Sequence, residues 1–212
     1  MRVITEQWLK EQGNLEKNFT VPSNCILTPS AKEFLEQNGT NVLLNQKDES
    51  TTHLNAETLV PKTHPRIALR GENDALQAQI IYTQLILQKT GFTRLAEDLD
   101  EVMRFLQLLI RHEVKDEPLR NWTLLNLSPA EIREHSHHPS KHYGQKHFIP
   151  DRSQGETVAL LNILRTRVRQ TELKALSAFP NGEREDLITA YNRLSSVFFI
   201  LMIRVKAGHY KE

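Results

Sequence analysis

From residue 65 onward, apolar side chains recur every three or four positions in segment after segment, and this spacing constrains the fold more than any other feature. A period of 3.6 residues places such side chains on one face of an α-helix. The clearest stripe follows the break at 91–93 and predicts a helix of about 22 residues. Its apolar residues are Leu95, Leu99, Val102, Met103, Leu106, Leu109 and Ile110.

Three further stripes have the same period, within 65–89, within 156–179 and after the Pro180–Asn181–Gly182 break. A fifth, short helix is predicted at 128–136, because Ser128-Pro129-Ala130-Glu131 has the pattern of a capping box with proline at the first helical position. Helices of this length bury their apolar stripes best against each other. The sequence therefore predicts an all-α protein with a five-helix bundle at 61–212.

Residues 1–60 have a different character, with polar stretches and little helical periodicity. Thr28-Pro29-Ser30-Ala31-Lys32-Glu33 predicts a small helix, and Val42-Leu43-Leu44 predicts a short strand. We therefore expect a small, mixed N-terminal appendage at 1–60.

Composition excludes several classes of protein. The 27 basic and 26 acidic residues leave a formal charge of +1 without a basic cluster, so no nucleic-acid partner is expected. No run of about 18 apolar residues predicts a membrane span, and the charged start predicts no export signal and hence a cytoplasmic location. A lone Cys25 excludes an intramolecular disulfide and multi-cysteine metal sites.

Two helices carry charges where their apolar stripes predict the core. At 100° per residue, Asp74 falls in the arc of Ile67, Ala78, Ile81 and Leu85. Arg165 and Glu172 fall in the arc of the helix within 156–179. Because an unpaired buried charge is costly, we predict an Asp74–Arg165 ion pair. Such a pair either fixes the register of the bundle or marks a cavity that interrupts the core.

Four segments, in order along the chain, carry a resemblance to a known family. They are VPKTHPRIALRGENDAL at 60–76, FIP at 148–150, LRTRVRQTE at 164–172 and NRLSS at 192–196. Together they resemble the ATP:cob(I)alamin adenosyltransferases, and the match covers nearly the whole chain.

Within that family, ITEQWL at 4–9, LTPSA at 27–31 and NILRT at 162–166 are similar to the ethanolamine-utilization branch rather than to the propanediol branch. That branch often carries a histidine followed by a cysteine cluster that binds a metal. The segment between Val42 and Thr51 is too short for it and has no cysteine. We therefore expect no metal bound by the protein itself.

The resemblance implies a homotrimer in which ATP and cobalamin meet near subunit interfaces. Co(I) attacks the ribose C5′ of ATP, giving adenosylcobalamin and triphosphate, with Mg²⁺ held mainly by the triphosphate. The resemblance implies catalytic roles for Asp74, Arg165 and Phe148. Phe148 matches the aromatic residue that displaces the lower ligand of cobalamin, which leaves a four-coordinate Co(II) for reduction.

A second set of residues is implied to bind the nucleotide, and Lys62 and Arg66 in that set approach the phosphates. The nucleotide set consists of Thr52, Lys62, Arg66, Arg169, Glu172 and Asn192. The resemblance also implies a flavin-type or other cellular reductant, and ethanolamine ammonia-lyase as an enzyme that receives the cofactor. Association with a bacterial microcompartment is one location that it suggests.

Departures from the family pattern leave alternatives open. No glycine-rich phosphate loop precedes Thr52, and Gln170 and Ser196 replace an arginine and an aspartate. A non-catalytic cobalamin carrier on the same bundle is the first alternative, and a purely structural trimer of a microcompartment is the second.

The histidine-rich segment 135–147 allows either a metal site or a loop that contacts the corrin side chains or only solvent. Glu134 and His137 have the i, i+3 spacing of di-iron bundles, but the further ligands that such sites need are missing.

Overall fold

The structure is a computed structural model that describes residues 2–13, 16–22, 25–44, 49–55 and 58–210. The chain divides into two compact units, Met1–His64 and Pro65–Glu212.

The N-terminal unit is built from short strands and two small helices. Its elements are β1 (Arg2–Ile4), α1 (Glu6–Glu11), β2 (Asn18–Val21), β3 (Cys25–Leu27), α2 (Pro29–Gln37), β4 (Asn41–Leu44), β5 (Thr51–His53) and β6 (Leu59–Pro61). The strands β1 and β3 pair in parallel, as do β2 and β4, while β5 and β6 form an antiparallel pair. A small core holds the unit together, formed by Ile4, Leu9, Val21, Ala31 and Leu35.

The predicted small helix and strand of this unit are confirmed. Thr28 caps α2, because its hydroxyl accepts a hydrogen bond of 3.2 Å from the amide of Ala31, and Pro29 takes the first helical position. The strand predicted at 42–44 is β4. Helix α1 and the other strands were not predicted, since elements of three to six residues are too short to show a period.

The C-terminal unit is all-α, as predicted. It contains α3 (Pro65–Lys89), α4 (Thr93–Lys115), α5 (Pro129–His137), α6 (Pro139–Tyr143), α7 (Glu156–Ala178) and α8 (Glu185–Lys206). Helix α7 packs against both α3 and α8, α3 packs against α4, and α5 packs against α8. These five helices form the bundle, and the single-turn α6 was not predicted.

Local sequence signals set the ends of these helices. Ser128 and Glu131 form the predicted capping box at α5, in which the amide of Ser128 donates to the Glu131 carboxylate at 2.8 Å. Gly91 follows α3 with a φ of +82°, a left-handed conformation that glycine adopts without strain.

Helix α8 is the central helix of the bundle, with ten buried residues. Its length and mean hydropathy alone would suit a membrane span, and 56% of its most apolar window is buried inside the unit. A polar contact also crosses the core, where the amide of Asn73 on α3 donates to the hydroxyl of Tyr191 on α8 at 2.6 Å. Both residues are buried, so this hydrogen bond helps to fix how α3 and α8 pair.

The predicted buried face of α3 is wrong. The buried stripe consists of Leu69, Asn73, Leu76, Ile80, Thr83 and Leu87. The face that contains Ile81 and Leu85 is exposed, and Asp74 is exposed with it. Helix α3 has two apolar faces, and periodicity alone does not tell which of them meets the rest of the chain.

Candidate active site

A cleft of about 440 Å³ opens between α5, α7, α8 and the loop that precedes α7. Its lining combines two cations, two aromatic rings, two imidazoles and three hydroxyls. The lining residues are Ser136, His137, His147, Phe148, Arg165, Arg169, Ser195, Ser196 and Phe199. Three residues predicted to bind or act on substrate, Phe148, Arg165 and Arg169, therefore lie in one cleft.

A second, smaller cleft of about 250 Å³ adjoins the first and shares Arg169 and Ser195 with it. Its lining adds Glu172 and Asn192, both predicted to bind the nucleotide. The side-chain amide of Asn192 donates to Glu172 at 2.8 Å, and Arg193 donates to the amide oxygen of Asn192 at 2.7 Å. The predicted nucleotide residues of α7 and α8 are thus linked by hydrogen bonds.

Helical spacing explains why these residues meet. Arg165, Arg169 and Glu172 are separated by four and three residues on α7, which places them on one face. Asn192, Ser195, Ser196 and Phe199 show the same spacing on α8. Because α7 and α8 pack along each other, the two faces border the same clefts.

Arg165 and Arg169 give the larger cleft a positive charge, and no carboxylate stands among the described residues that line it. Within the described part of the chain, Arg165 makes no ion pair and donates to the side-chain oxygen of Asn162 at 3.1 Å. Burial, and secondly the positive charge of Arg169, lower the pKa of Arg165 from its ordinary value. The guanidinium remains charged at neutral pH, so a bound anion here would relieve unfavourable electrostatics.

The predicted Asp74–Arg165 ion pair within one chain is wrong. Asp74 is exposed on α3, away from the core, whereas Arg165 faces the cleft beside α8. The pair that does join α3 to α7 consists of Glu72 and Arg167, whose Oε1 and Nε atoms lie 2.9 Å apart. The physical reason is the exposed second face of α3 described above.

Aromatic side chains also line the larger cleft. The rings of Phe148 and Phe199 have their centroids 5.6 Å apart, and His147 stacks on Phe199 at 5.3 Å. The Nζ atom of Lys206 lies 4.1 Å from the centroid of the Phe148 ring. Phe199 is half-buried, packs against the core of the bundle and borders the cleft.

Arg66, which was predicted to approach phosphates, contacts a carboxylate. Its Nε donates to Glu113 at 2.5 Å, and the Nε of Arg70 donates to the other carboxylate oxygen at 2.6 Å. Glu113 is 1% exposed, against 19% and 18% for the two arginines.

Thr52 and Lys62, which were also predicted to bind the nucleotide, belong to the N-terminal unit. Thr52 pairs opposite Val60 in the β5–β6 hairpin, and the amide of Lys62 donates to the carbonyl of Ser50 at 2.7 Å. The hairpin therefore brings these two residues into one local structure.

The histidine-rich segment is distributed over several contacts. His135 stacks on His142 with ring centroids 3.8 Å apart and contacts the hydroxyl of Tyr143 at 2.8 Å. Within the described ranges, no three His, Cys, Asp or Glu side chains converge as metal ligands would. His137 and His147, by contrast, line the larger cleft.

Several lining residues were not predicted as site residues, namely His137, His147, Ser195, Ser196 and Phe199. A signal was present for those on α8, because Ser195, Ser196 and Phe199 follow Asn192 at three, four and seven residues. The two histidines belong to the histidine-rich segment 135–147, for which the sequence left a metal site or a loop near the corrin open, and they reach the cleft from α5 and from a loop.

Comparison with known proteins identifies the class. Residues 42–205, more than half of the chain, match the family model described as cobalamin adenosyltransferase, and the chain belongs to that family. Its curated relatives include the corrinoid adenosyltransferase EutT of Salmonella typhimurium, 29% identical over 97% of this chain and 93% of the relative. The EutT of Escherichia coli K12 is 28% identical over 94% of this chain and 91% of the relative. Assignment to the ethanolamine-utilization type is thereby confirmed.

Proposed function

We propose that this protein transfers the 5′-deoxyadenosyl group of ATP to cob(I)alamin, giving adenosylcobalamin and triphosphate. Family membership supports the adenosylation of a corrinoid. The observation that carries the finer proposal is the cleft itself, which is lined by both Arg165 and Arg169 and by Phe148 and Phe199. A polyanion and a flat apolar macrocycle require these two kinds of surface side by side.

The reaction needs positioning and charge neutralisation more than acid–base chemistry. The electron pair of Co(I) attacks C5′, a Co–C bond forms, and the C5′–O bond breaks so that triphosphate leaves with the bonding pair. Arg169 is assigned to the triphosphate, and the linked Glu172 and Asn192 are assigned to the nucleoside. No general base is required, because Co(I) is itself the nucleophile and triphosphate is a good leaving group.

Phe148 is assigned to the corrinoid. With its ring beneath the macrocycle, neither the nitrogenous lower ligand nor water has room to coordinate the cobalt. The resulting four-coordinate Co(II) is easier to reduce, and a flavin-type or other cellular reductant would supply the electron. The half-buried Phe148 and its contact with Phe199 support this assignment, since they place an apolar ring at the cleft wall.

Arg66, Lys62 and Thr52 complete the proposed nucleotide site. Glu113 accepts hydrogen bonds from Arg66 and Arg70 and so holds the side chain of Arg66 in place, and we assign the Arg66 guanidinium to a phosphate of ATP. Mg²⁺ is proposed to travel with ATP and to be held mainly by the triphosphate oxygens, because Glu172 is the only carboxylate among the described residues of the two clefts.

The working form is proposed to be a homotrimer. Helix α3 exposes Ile81, Tyr82 and Leu85, at 53%, 63% and 52%, and the adjacent α7 exposes Leu173 and Leu176, at 63% and 43%. An apolar surface on two neighbouring helices is typical of a subunit interface.

Asp74 lies on the same exposed face of α3. We assign the Asp74–Arg165 pair to two different subunits, where it would close the floor of the site. Asp74 and Arg165 remain two of the three proposed catalytic positions, the third being Phe148.

The setting of the enzyme is proposed from its relatives. The relatives are corrinoid adenosyltransferases named EutT, and ethanolamine ammonia-lyase is the proposed recipient of the product. We place the protein in the cytoplasm, with association with a bacterial microcompartment as part of the proposal.

Arg169 offers the sharpest test of the site. Arg169→Met should raise the KM for ATP roughly 10- to 100-fold, the value of a lost charge-assisted hydrogen bond, while the fold is unchanged. Lys174→Met, an exposed lysine on the same helix, is the matched control and should leave KM unchanged.

An unchanged KM in Arg169→Met would remove this residue from the site. If ATP neither reacts nor raises the melting temperature of the wild-type protein, a purely structural trimer would be favoured instead.

A further inference from the structure

Lys206, the last residue of α8, contacts the side chain to which the corrinoid chemistry is assigned. Its Nζ atom lies over the Phe148 ring, 4.1 Å from the centroid, which is well within the range of a cation–π interaction. Lys206 is exposed, so the contact does not follow from burial of the lysine.

The same lysine acts on a second residue of the loop that carries Phe148. Asp151 begins the 3-10 turn at Arg152–Gln154, and its carboxylate accepts from the amide of Ser153 at 2.7 Å and from its hydroxyl at 2.5 Å. These hydrogen bonds are the main cause of the lowered pKa of Asp151, and the charge of Lys206 lowers it further. Lys206 thus attracts both an aromatic ring and a carboxylate three residues apart.

The loop that carries Phe148 begins and ends at glycines. Gly144 and Gly155 have φ angles of +66° and +86°, which glycine adopts without strain. The Phe148 ring is half-buried against the bundle core, and its centroid lies 5.6 Å from that of the Phe199 ring. Lys206 adds a contact of a different kind, the attraction of a cation to the face of the ring.

We propose that Lys206 is a positioning residue for Phe148, and that its ammonium group holds the ring in the orientation that excludes the lower ligand of the corrinoid. This inference rests on the proposed function, because it gives Lys206 a role in forming four-coordinate Co(II) and none in the attack on ATP. The lysine touches neither ATP nor the corrin ring in this role.

The test compares three variants in two assays. Lys206→Met keeps the length of the side chain and removes the charge, Lys206→Arg keeps a cation, and Lys146→Met removes the charge of an exposed lysine in the same loop. One assay starts from Co(II) cobalamin with a mild reductant, and the other starts from chemically generated Co(I). Electron paramagnetic resonance with ATP present measures the four-coordinate Co(II) fraction directly.

Lys206→Met should lower the rate from Co(II), together with the four-coordinate fraction, by about two- to fivefold, the value of an exposed cation–π contact. The rate from Co(I) and the KM for ATP should not change. Lys206→Arg should restore the Co(II) rate, and Lys146→Met should match the wild type. In a Phe148→Ala background, Lys206→Met should have no further effect, because the ring through which it acts is absent.

Other results would overturn the inference. Equal losses from Co(II) and Co(I), or losses that add to those of Phe148→Ala, would give Lys206 a general structural role. Failure of the wild-type protein to react from Co(I) would contradict the proposed function itself, which separates the two failures.

Discussion

Glu113 is a buried charge that two arginines contact, and replacing it by glutamine should lower the free energy of unfolding of the bundle. The carboxylate is 1% exposed and accepts hydrogen bonds from Arg66 and Arg70. Removing one partner of a buried ion pair costs about 3–5 kcal/mol. Here the arginines are 18–19% exposed and glutamine still accepts one hydrogen bond. We therefore expect Glu113→Gln to lower the free energy of unfolding by roughly 2–4 kcal/mol.

For a unit of this size, each kcal/mol corresponds to about 2–4 °C in melting temperature, so Glu113→Gln should melt roughly 4–16 °C lower. Thermal and urea unfolding, followed by circular dichroism, measure the change. Glu117→Gln is the matched control. Glu117 is 50% exposed and its carboxylate lies 3.8 Å from the Lys115 ammonium, a weak surface pair, so this substitution should change the free energy of unfolding by no more than about 0.5 kcal/mol. If both variants unfold like the wild type, the buried carboxylate is not the anchor of the two arginines.

Three further predictions concern the core and the interface. Tyr191→Phe leaves the buried Asn73 amide without its acceptor, and urea unfolding should show a loss of about 1–3 kcal/mol; a loss below 0.5 kcal/mol would be inconsistent with the 2.6 Å bond. Leu85→Lys should dissociate the trimer in sedimentation experiments, and an unchanged oligomer would show that this face of α3 is not the subunit interface. Asp74→Asn should weaken the trimer and its activity together without unfolding the bundle, whereas a wild-type assembly would exclude the pair between subunits.

Chelation provides a separate prediction about metals. Treatment with a chelator should slow the reaction, and Mg²⁺ alone should restore it, because the described part of the chain offers no cluster of three metal ligands. A protein that stays inactive until Zn²⁺, Fe²⁺ or Co²⁺ is added would contradict this expectation.

The helices of the bundle could be predicted from sequence because their signals are local. The break at Pro180–Asn181–Gly182, the Ser128 capping box and the apolar spacing fix where helices start and end without reference to partners. The buried face of α3 could not be predicted in the same way. Ile81 and Leu85 are as apolar as Ile80 and Leu87, and only the packing of α3 against α4 and α7 decides which pair is buried.

The site shows the same division between local and tertiary information. The spacing of Arg165, Arg169 and Glu172 on one helix face is readable from sequence, and the structure places all three at the two adjoining clefts. The contacts of Arg66 with Glu113 and of Lys206 with Phe148 join residues 47 and 58 positions apart, and no local pattern predicts them.

The central claim is that one protein both binds the corrinoid and makes its Co–C bond from ATP. Anaerobic incubation of the wild-type protein with Co(I) cobalamin, ATP and Mg²⁺ tests it most directly, with the Co–C bond followed by absorbance and triphosphate measured in the same samples. The account predicts adenosylcobalamin and triphosphate in equal amounts. Binding of the corrinoid without either product would contradict it and would favour a non-catalytic cobalamin carrier.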